Sequence, residues 1–222
     1  MTMGPRTARA DELRRIACMH IDPSAEAGLK GEPGPRGLLR FYRDKVRHYH
    51  AFEPEGILVE MEGDRICGFL IATSSVRGFK RFCLRSGFAV RFGLKAAVGL
   101  YGLDPAMVKK LLLLPFTILG RQRPRGSGMA ADPAPAAKTR ALPDAKIWAV
   151  VTAREYRRRG VASRLLDACD AWLASRGIHA VGLTVEMDNE PAIHAYRKAG
   201  FEVVGEVLES TGKSFFMSKP TP

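Results

Sequence analysis

Residues 151–206 limit what this chain can fold into more than any other stretch. A β-branched run, Val150, Val151 and Thr152, leads into a short loop holding Arg157, Arg158, Arg159, Gly160 and Ala162, and an amphipathic helical pattern follows directly. A strand, a basic glycine-bearing loop and a helix, in that order, build a site for a phosphate anion. The first N–H groups of a helix lack intrahelical acceptors, the helix dipole is positive there, and small residues let a ligand approach the backbone. The loop is not a Walker loop, because no Gly-Lys-Ser/Thr follows. Nor is it the dinucleotide GxGxxG, because it holds a single glycine.

The spacing Arg157-x-x-Gly160-x-Ala162 resembles the acyl-CoA-binding motif of the GNAT N-acetyltransferase superfamily, Gln/Arg-x-x-Gly-x-Gly/Ala. A second GNAT signature stands downstream: Asn189-x-x-Ala192-x-x-x-Tyr196, closing with Ala199-Gly200-Phe201. Both halves in order make the resemblance specific where either alone would be weak. It runs firmly from Lys146 onward and loosely over residues 7–74. The fold it implies is α/β: a single GNAT-like domain, a mixed central sheet flanked by helices, with a basic helical insertion ahead of the phosphate-loop strand.

The same resemblance implies acetyl-CoA as co-substrate and assigns residues to it. Backbone N–H groups from Arg158 through Val161, Ala162 and Ser163 would take the pyrophosphate, with Gly160 and Ala162 small enough to admit it. Arg157, Arg158 and Arg159 would add charge-assisted contacts, although at least one is expected to be surface charge only. Val150, Val151 and Thr152 would lie along the pantetheine arm. Asn189 would bind the cofactor or cap the helix start, and both roles are expected. Tyr196 would give the departing thiolate its proton, the alternative being a buried core tyrosine. The base is not assigned. Relatives that acylate protein N-termini carry a Glu five residues before the Asn, where this chain has Thr184, and Trp148 rather than a carboxylate stands on the strand before the loop. Glu186, His48, His50, His194 or a water relay remain open.

The rest of the chain reads as alternating helices and strands. Helical periods cover residues 9–19 and 38–48, around a Gly/Pro loop at 28–37. A hairpin spans 57–61 and 66–71, and the pattern resumes with strand 146–152, helix 160–176, strand 179–187, helix 190–199 and strands 201–208 and 214–217. Three parts result: an N-terminal part of the domain (1–76), a basic insertion with a linker (77–144), and the acyl-CoA-binding part (145–222). The four cysteines lie far apart with no CxxC pair, so they read as reduced, mostly core thiols, and no metal site is expected. Neither a secretory leader nor a bilayer-length apolar run is evident, which places the expected location in the cytoplasm, with or without membrane association.

The formal net charge of +12 is concentrated. Residues 77–145 hold 13 Lys/Arg against 3 Asp/Glu, and the remainder is nearly balanced at 22 against 20. Within that segment Arg81 and Arg85, and Arg91 and Lys95, share helical faces, and Phe88 and Phe92 share another. Three readings are open. The aromatic face could pack on its own domain or on a second copy in a homodimer. Residues 77–119 could form a peripheral membrane contact. The basic patch could meet nucleic acid, the least favoured of the three. The acceptor is expected to be a primary amine of a small molecule or amino sugar. A protein N-terminus or lysine is the first alternative, and a non-catalytic CoA-responsive module docking a membrane or nucleic acid is the second.

Overall fold

The computed structural model describes residues 2–22, 36–103, 105, 108, 109, 142–209 and 212–222. The Gly/Pro loop up to residue 35, most of the apolar run at 107–119 and the linker up to 141 fall outside the described residues.

Seven strands form one sheet: β1 (Thr2–Thr7), β2 (Ile57–Glu62), β3 (Arg65–Thr73), β4 (Ala145–Thr152), β5 (Ala180–Glu186), β6 (Glu202–Glu209) and β7 (Gly212–Pro220). Their spatial order is β1-β2-β3-β4-β5-β7-β6. Only β4 and β5 run parallel; the other neighbours are antiparallel. Helices flank the sheet among the described residues: α1 (Leu13–Ile21), α2 (Arg36–Phe52), α3 (Val76–Arg85), α4 (Phe88–Ala97), α5 (Val161–Ser175) and α6 (Glu190–Lys198). The expected mixed sheet with flanking helices is therefore what the chain forms. One strand had no sequence signal: β1 carries Gly4 and Pro5 and pairs at the sheet edge, with its register slipping between Met3 and Arg6. An edge and a slip are where a strand tolerates proline, which has no N–H for the ladder.

The central strands β2 and β3 are buried on nearly every residue, as expected for a sheet covered on both faces. A Cβ at Gly68 would stand 2.7 Å from Val161 Cγ1 and 2.8 Å from the Val151 carbonyl. The bare glycine lets the first turn of α5 settle against β3, which places the loop ahead of that helix.

The described part of the insertion, α3 and α4, packs on its own domain. Ser75 is the N-cap of α3; its hydroxyl accepts from Gly78 N at 2.8 Å and donates to Asp144 at 2.6 Å, pinning both ends of the insertion together. Phe79 stacks on Tyr49 with centroids 4.7 Å apart, and His48 of α2 stacks on Phe82 at 4.9 Å and Phe88 at 3.6 Å. Phe92 and Phe41 meet at 5.1 Å in a small satellite core with Tyr101. The aromatic face is thus satisfied within the domain.

Candidate functional site

The hydrogen-bonded pairing of β4 with β5 covers only Ala145, Lys146 and Ile147, opposite Val181, Gly182 and Leu183. Beyond that point β4 pairs with β3 alone and β5 with β7 alone. The cause is visible in the register. Ile71 opposes Ala149 while Ala72 opposes Ile147, so Trp148 is the extra residue of a β-bulge. A bulge bends its strand and sharpens the twist, here at the last shared pair. Trp148 is held in place by its Nε1, which donates to Thr73 Oγ1 at 3.0 Å. From Trp148 to Thr152 every residue is half-buried, including Val150, Val151 and Thr152, whereas the paired Ala145 and Ile147 are buried. A cleft therefore opens between two parallel strands toward their C-terminal ends.

Both helices that follow these strands start at the mouth of the cleft. The loop into α5 passes through a short 3-10 turn (Arg154–Tyr156), an extended Arg157, and then Arg158 at φ +60° and Gly160 at φ +76°. Alternation of left-handed with ordinary residues turns successive N–H groups to one side, the geometry of an anion nest. The bond from Arg164 N to the Gly160 carbonyl, 3.0 Å, starts the α5 ladder, so Val161, Ala162 and Ser163 present their N–H groups ahead of it. Gly160 is small for a second reason beyond ligand approach: its backbone is left-handed, and a Cβ there would stand 2.9 Å from Arg164 Nη1. Val161 is buried, so only its backbone faces the loop, while Ala162 is half-buried and Ser163 exposed. Arg157, Arg158 and Arg159 are all exposed; Arg159 rests over the Tyr156 ring at 5.3 Å.

Across the cleft, Asn189 is the N-cap of α6, with its Oδ1 accepting from Ala192 N at 3.2 Å. Seven residues on, or about 10 Å along the helix, Tyr196 sits half-buried with its ring 5.8 Å from Phe201 in an edge contact. Burial pushes its hydroxyl up to about 12, so it stays protonated and able to donate at neutral pH.

One residue pair behind the loop gave no recognisable motif. Glu60 on β2 is fully buried, and Arg164 of α5 binds it through Nε at 3.1 and 3.2 Å and through Nη2 at 2.6 Å. The remaining Nη1 donates to the Arg159 carbonyl at 3.0 Å. Glu60 therefore holds the loop from below through one guanidinium. The available signal was a lone acid inside the apolar run Ile57-Leu58-Val59-Glu60-Met61.

The candidates for a base differ in their surroundings, and His50 is half-buried near the end of α2. His48 lies in the aromatic stack with Nε2 3.3 Å from Cys83 Sγ, and burial lowers it to about 4, which makes it structural. His194 and Glu186 are exposed. The buried carboxylates are engaged: Glu12 with Arg6, Glu53 with Ser74 and Arg176, Glu60 with Arg164, and Asp170 with Lys219. Thr184 of β5 is half-buried and offers no proton acceptor stronger than a hydroxyl. The four cysteines are buried and none is in a disulfide, and no group of three or more His, Cys, Asp or Glu gathers among the described residues.

Fold and cleft define an α/β protein with a left-handed, arginine-bearing loop at the mouth of a split sheet. Residues 117–201 match the acetyltransferase (GNAT) family model. The L-amino acid N-acetyltransferase AaaT of Escherichia coli K12 is 42% identical over 64 residues, covering 27% of this chain and 35% of that protein. Spermidine N(1)-acetyltransferase of the same strain is 37% identical over 60 residues, covering 27% and 32%. The aligned stretch thus spans about a third of those relatives' length. Among solved structures, SsHAT covers 100% of this chain and 98% of its own at 19% identity with a TM-score of 0.66. Ard1 from Thermoplasma volcanium covers 100% and 98% at 15% identity with a TM-score of 0.55. At those identities the likeness is one of fold.

Proposed function

We propose that this protein transfers an acetyl group from acetyl-CoA to a primary amine of a small molecule, by direct attack. The observation that carries the reading is the left-handed loop of Arg158 and Gly160 set at the open end of the β4–β5 cleft. Backbone N–H groups from Arg158 to Ser163 take the pyrophosphate, and the α5 dipole adds to the attraction. The unpaired edge of β4 from Trp148 to Thr152 offers backbone partners to an extended pantetheine arm, which lays the thioester near the bulge. The amine nitrogen bonds to the thioester carbonyl carbon, and the carbon–sulfur bond breaks. Tyr196 hands its hydroxyl proton to the departing thiolate, and the proton lost by the acylated nitrogen returns to the tyrosinate through water, since the described buried carboxylates are engaged.

The small-amine acceptor draws support from two relatives whose names give an amino acid and spermidine as acceptors. Thr184, standing where N-terminal acetyltransferases carry Glu, weighs against a protein N-terminus. The test is thiol release from acetyl-CoA across a panel of amino acids, polyamines, amino sugars and peptides, beside calorimetric binding of acetyl-CoA. Acceleration by at least one small amine is expected, with Tyr196→Phe lowering kcat on the order of a hundredfold while affinity for acetyl-CoA holds. Binding of acetyl-CoA with thioester loss at the water rate for every amine would remove the enzyme reading and leave a CoA-responsive module.

A further inference from the structure

The outward face of α4 is apolar where a solvent-facing helix is normally polar. Val90, Leu94 and Val98 succeed one another at i,i+4 spacing and are 63%, 62% and 64% exposed, and Leu100 extends the ridge at 43%. The opposite face, Ala89, Phe92, Gly93 and Ala96, is the one buried against the domain. Cations lie along one edge of the ridge. Arg91 and Lys95 project into a groove of about 260 Å³ between α4 and α2, lined also by Asp44, Arg47, His48 and Phe88. Arg47 ends a row on α2, since Arg36, Arg40, Arg43 and Arg47 stand at i, i+4, i+7 and i+11, which puts them on one helical face. Asp44, held by Lys95 and Tyr101 at 2.8 Å each, is the acid of this groove. The buried Nε of Arg43 has no hydrogen-bond partner.

We propose that this face docks on an anionic phospholipid bilayer. The aliphatic ridge of α4 enters the headgroup–acyl boundary, and the groove cations with the α2 arginine row take lipid phosphates. Charge decides between this occupant and a second copy of the chain. In a two-fold dimer the same patch meets itself, which would bring Arg91 and Lys95 of one copy against those of the other. Asp44 offsets Lys95 alone, and no Asp or Glu occurs from Val76 to Leu103 to offset Arg91. An anionic surface reverses that repulsion. The ridge also lacks the Trp, Tyr or Arg anchors on which protein partners commonly concentrate binding energy, whereas short aliphatics beside cations suit an interface of acyl chains and phosphate. Phe79, Phe82, Phe88 and Phe92 have no part in this contact, because they are packed against α2.

Vesicle flotation of the full chain tests it, with phosphatidylcholine vesicles compared with vesicles that also contain phosphatidylglycerol. Partitioning is expected only onto the anionic vesicles and should fall as salt rises. Val90→Ser/Leu94→Ser/Val98→Ser, all at exposed positions and checked by an unchanged Tm, should abolish it. Arg40→Ala/Arg47→Ala should weaken it on the order of 25-fold, about fivefold for each cation removed near such a surface, and Arg197→Ala/Lys198→Ala on the distant α6 should weaken it far less. No partitioning onto anionic vesicles overturns the proposal. So does an equal loss for the two double-alanine variants, which reduces the effect to net charge. Sedimentation showing a dimer that the triple serine variant splits, or saturable binding of inorganic phosphate without vesicle partitioning, also overturns it.

Discussion

Glu60 and Arg164 should respond unequally to losing one another. The Glu60 side chain is entirely buried, while that of Arg164 is 44% exposed. Arg164→Ala leaves a carboxylate in the core with three hydrogen bonds removed and no route to water. A buried charge stripped of its partner costs about 3–5 kcal/mol. Glu60→Gln leaves a guanidinium that solvent still reaches and an amide oxygen that still accepts from it, so the cost is about 1 kcal/mol. For a chain of this size those figures correspond to a Tm lower by roughly 6–20 °C and roughly 2–4 °C respectively. The double variant Glu60→Gln/Arg164→Ala should be more stable than Arg164→Ala alone, because no uncompensated charge is left behind. Affinity for acetyl-CoA should instead fall alike in the two variants that lack Arg164 and hold in Glu60→Gln, since Arg164 also anchors the Arg159 carbonyl in the loop. Calorimetric melting and acetyl-CoA titration of the three variants give both readings. Equal losses of stability for the two single variants, or a double variant no more stable than Arg164→Ala, would refute the clamp.

Gly160→Ala should cost about 1 kcal/mol from its left-handed backbone and weaken acetyl-CoA binding, and Gly160→Glu should abolish binding by filling and repelling the phosphate site; normal binding by the Glu variant would move the phosphate elsewhere. Because burial holds Tyr196 near 12, no fall in kcat from its ionisation should occur below about pH 11. Any basic limb near neutrality should survive in Tyr196→Phe and belongs to another group. Burial first and the Lys45 or Arg91 charge second lower His20 to about 3 and His48 to about 4. Both are neutral when folded, and both take up protons near pH 6.5 when unfolded. Stability should therefore be full above pH 6.5 and fall as pH drops toward 4 and then 3. His48→Phe, which keeps an aromatic ring in the stack, should flatten the Tm–pH curve in that window, and an unchanged slope would contradict this assignment.

Most of the element order was legible because amphipathic period, glycines after helices and turn residues are local signals. Helices α5 and α6 began within one residue of the expected start, and Asn189 proved to be the N-cap that its residue type suggested. The first helix was misjudged at its start: residues 10–12 form a 3-10 turn, with the α-helix beginning at Leu13. β1 was missed because an edge strand carrying Gly and Pro has no alternation of its own and becomes a strand only by pairing with β2.

The sequence by itself determined the loop chemistry: a glycine at the one position where φ is +76°, arginines around it, a helix beginning directly after, and a tyrosine two turns into the next helix. Those relations span a few residues, so spacing encodes them. What only tertiary structure decided depends on partners far apart in the chain. Examples are the end of β4–β5 pairing at Ile147, the bulge that opens the cleft at Trp148, and the Glu60–Arg164 bond that joins positions 104 residues apart. It also separated the two faces of the basic insertion, burying phenylalanines that matched a membrane helix in pattern and leaving the aliphatic ridge of α4 outside. Periodicity marks a face as apolar, but only packing decides whether the domain itself covers that face.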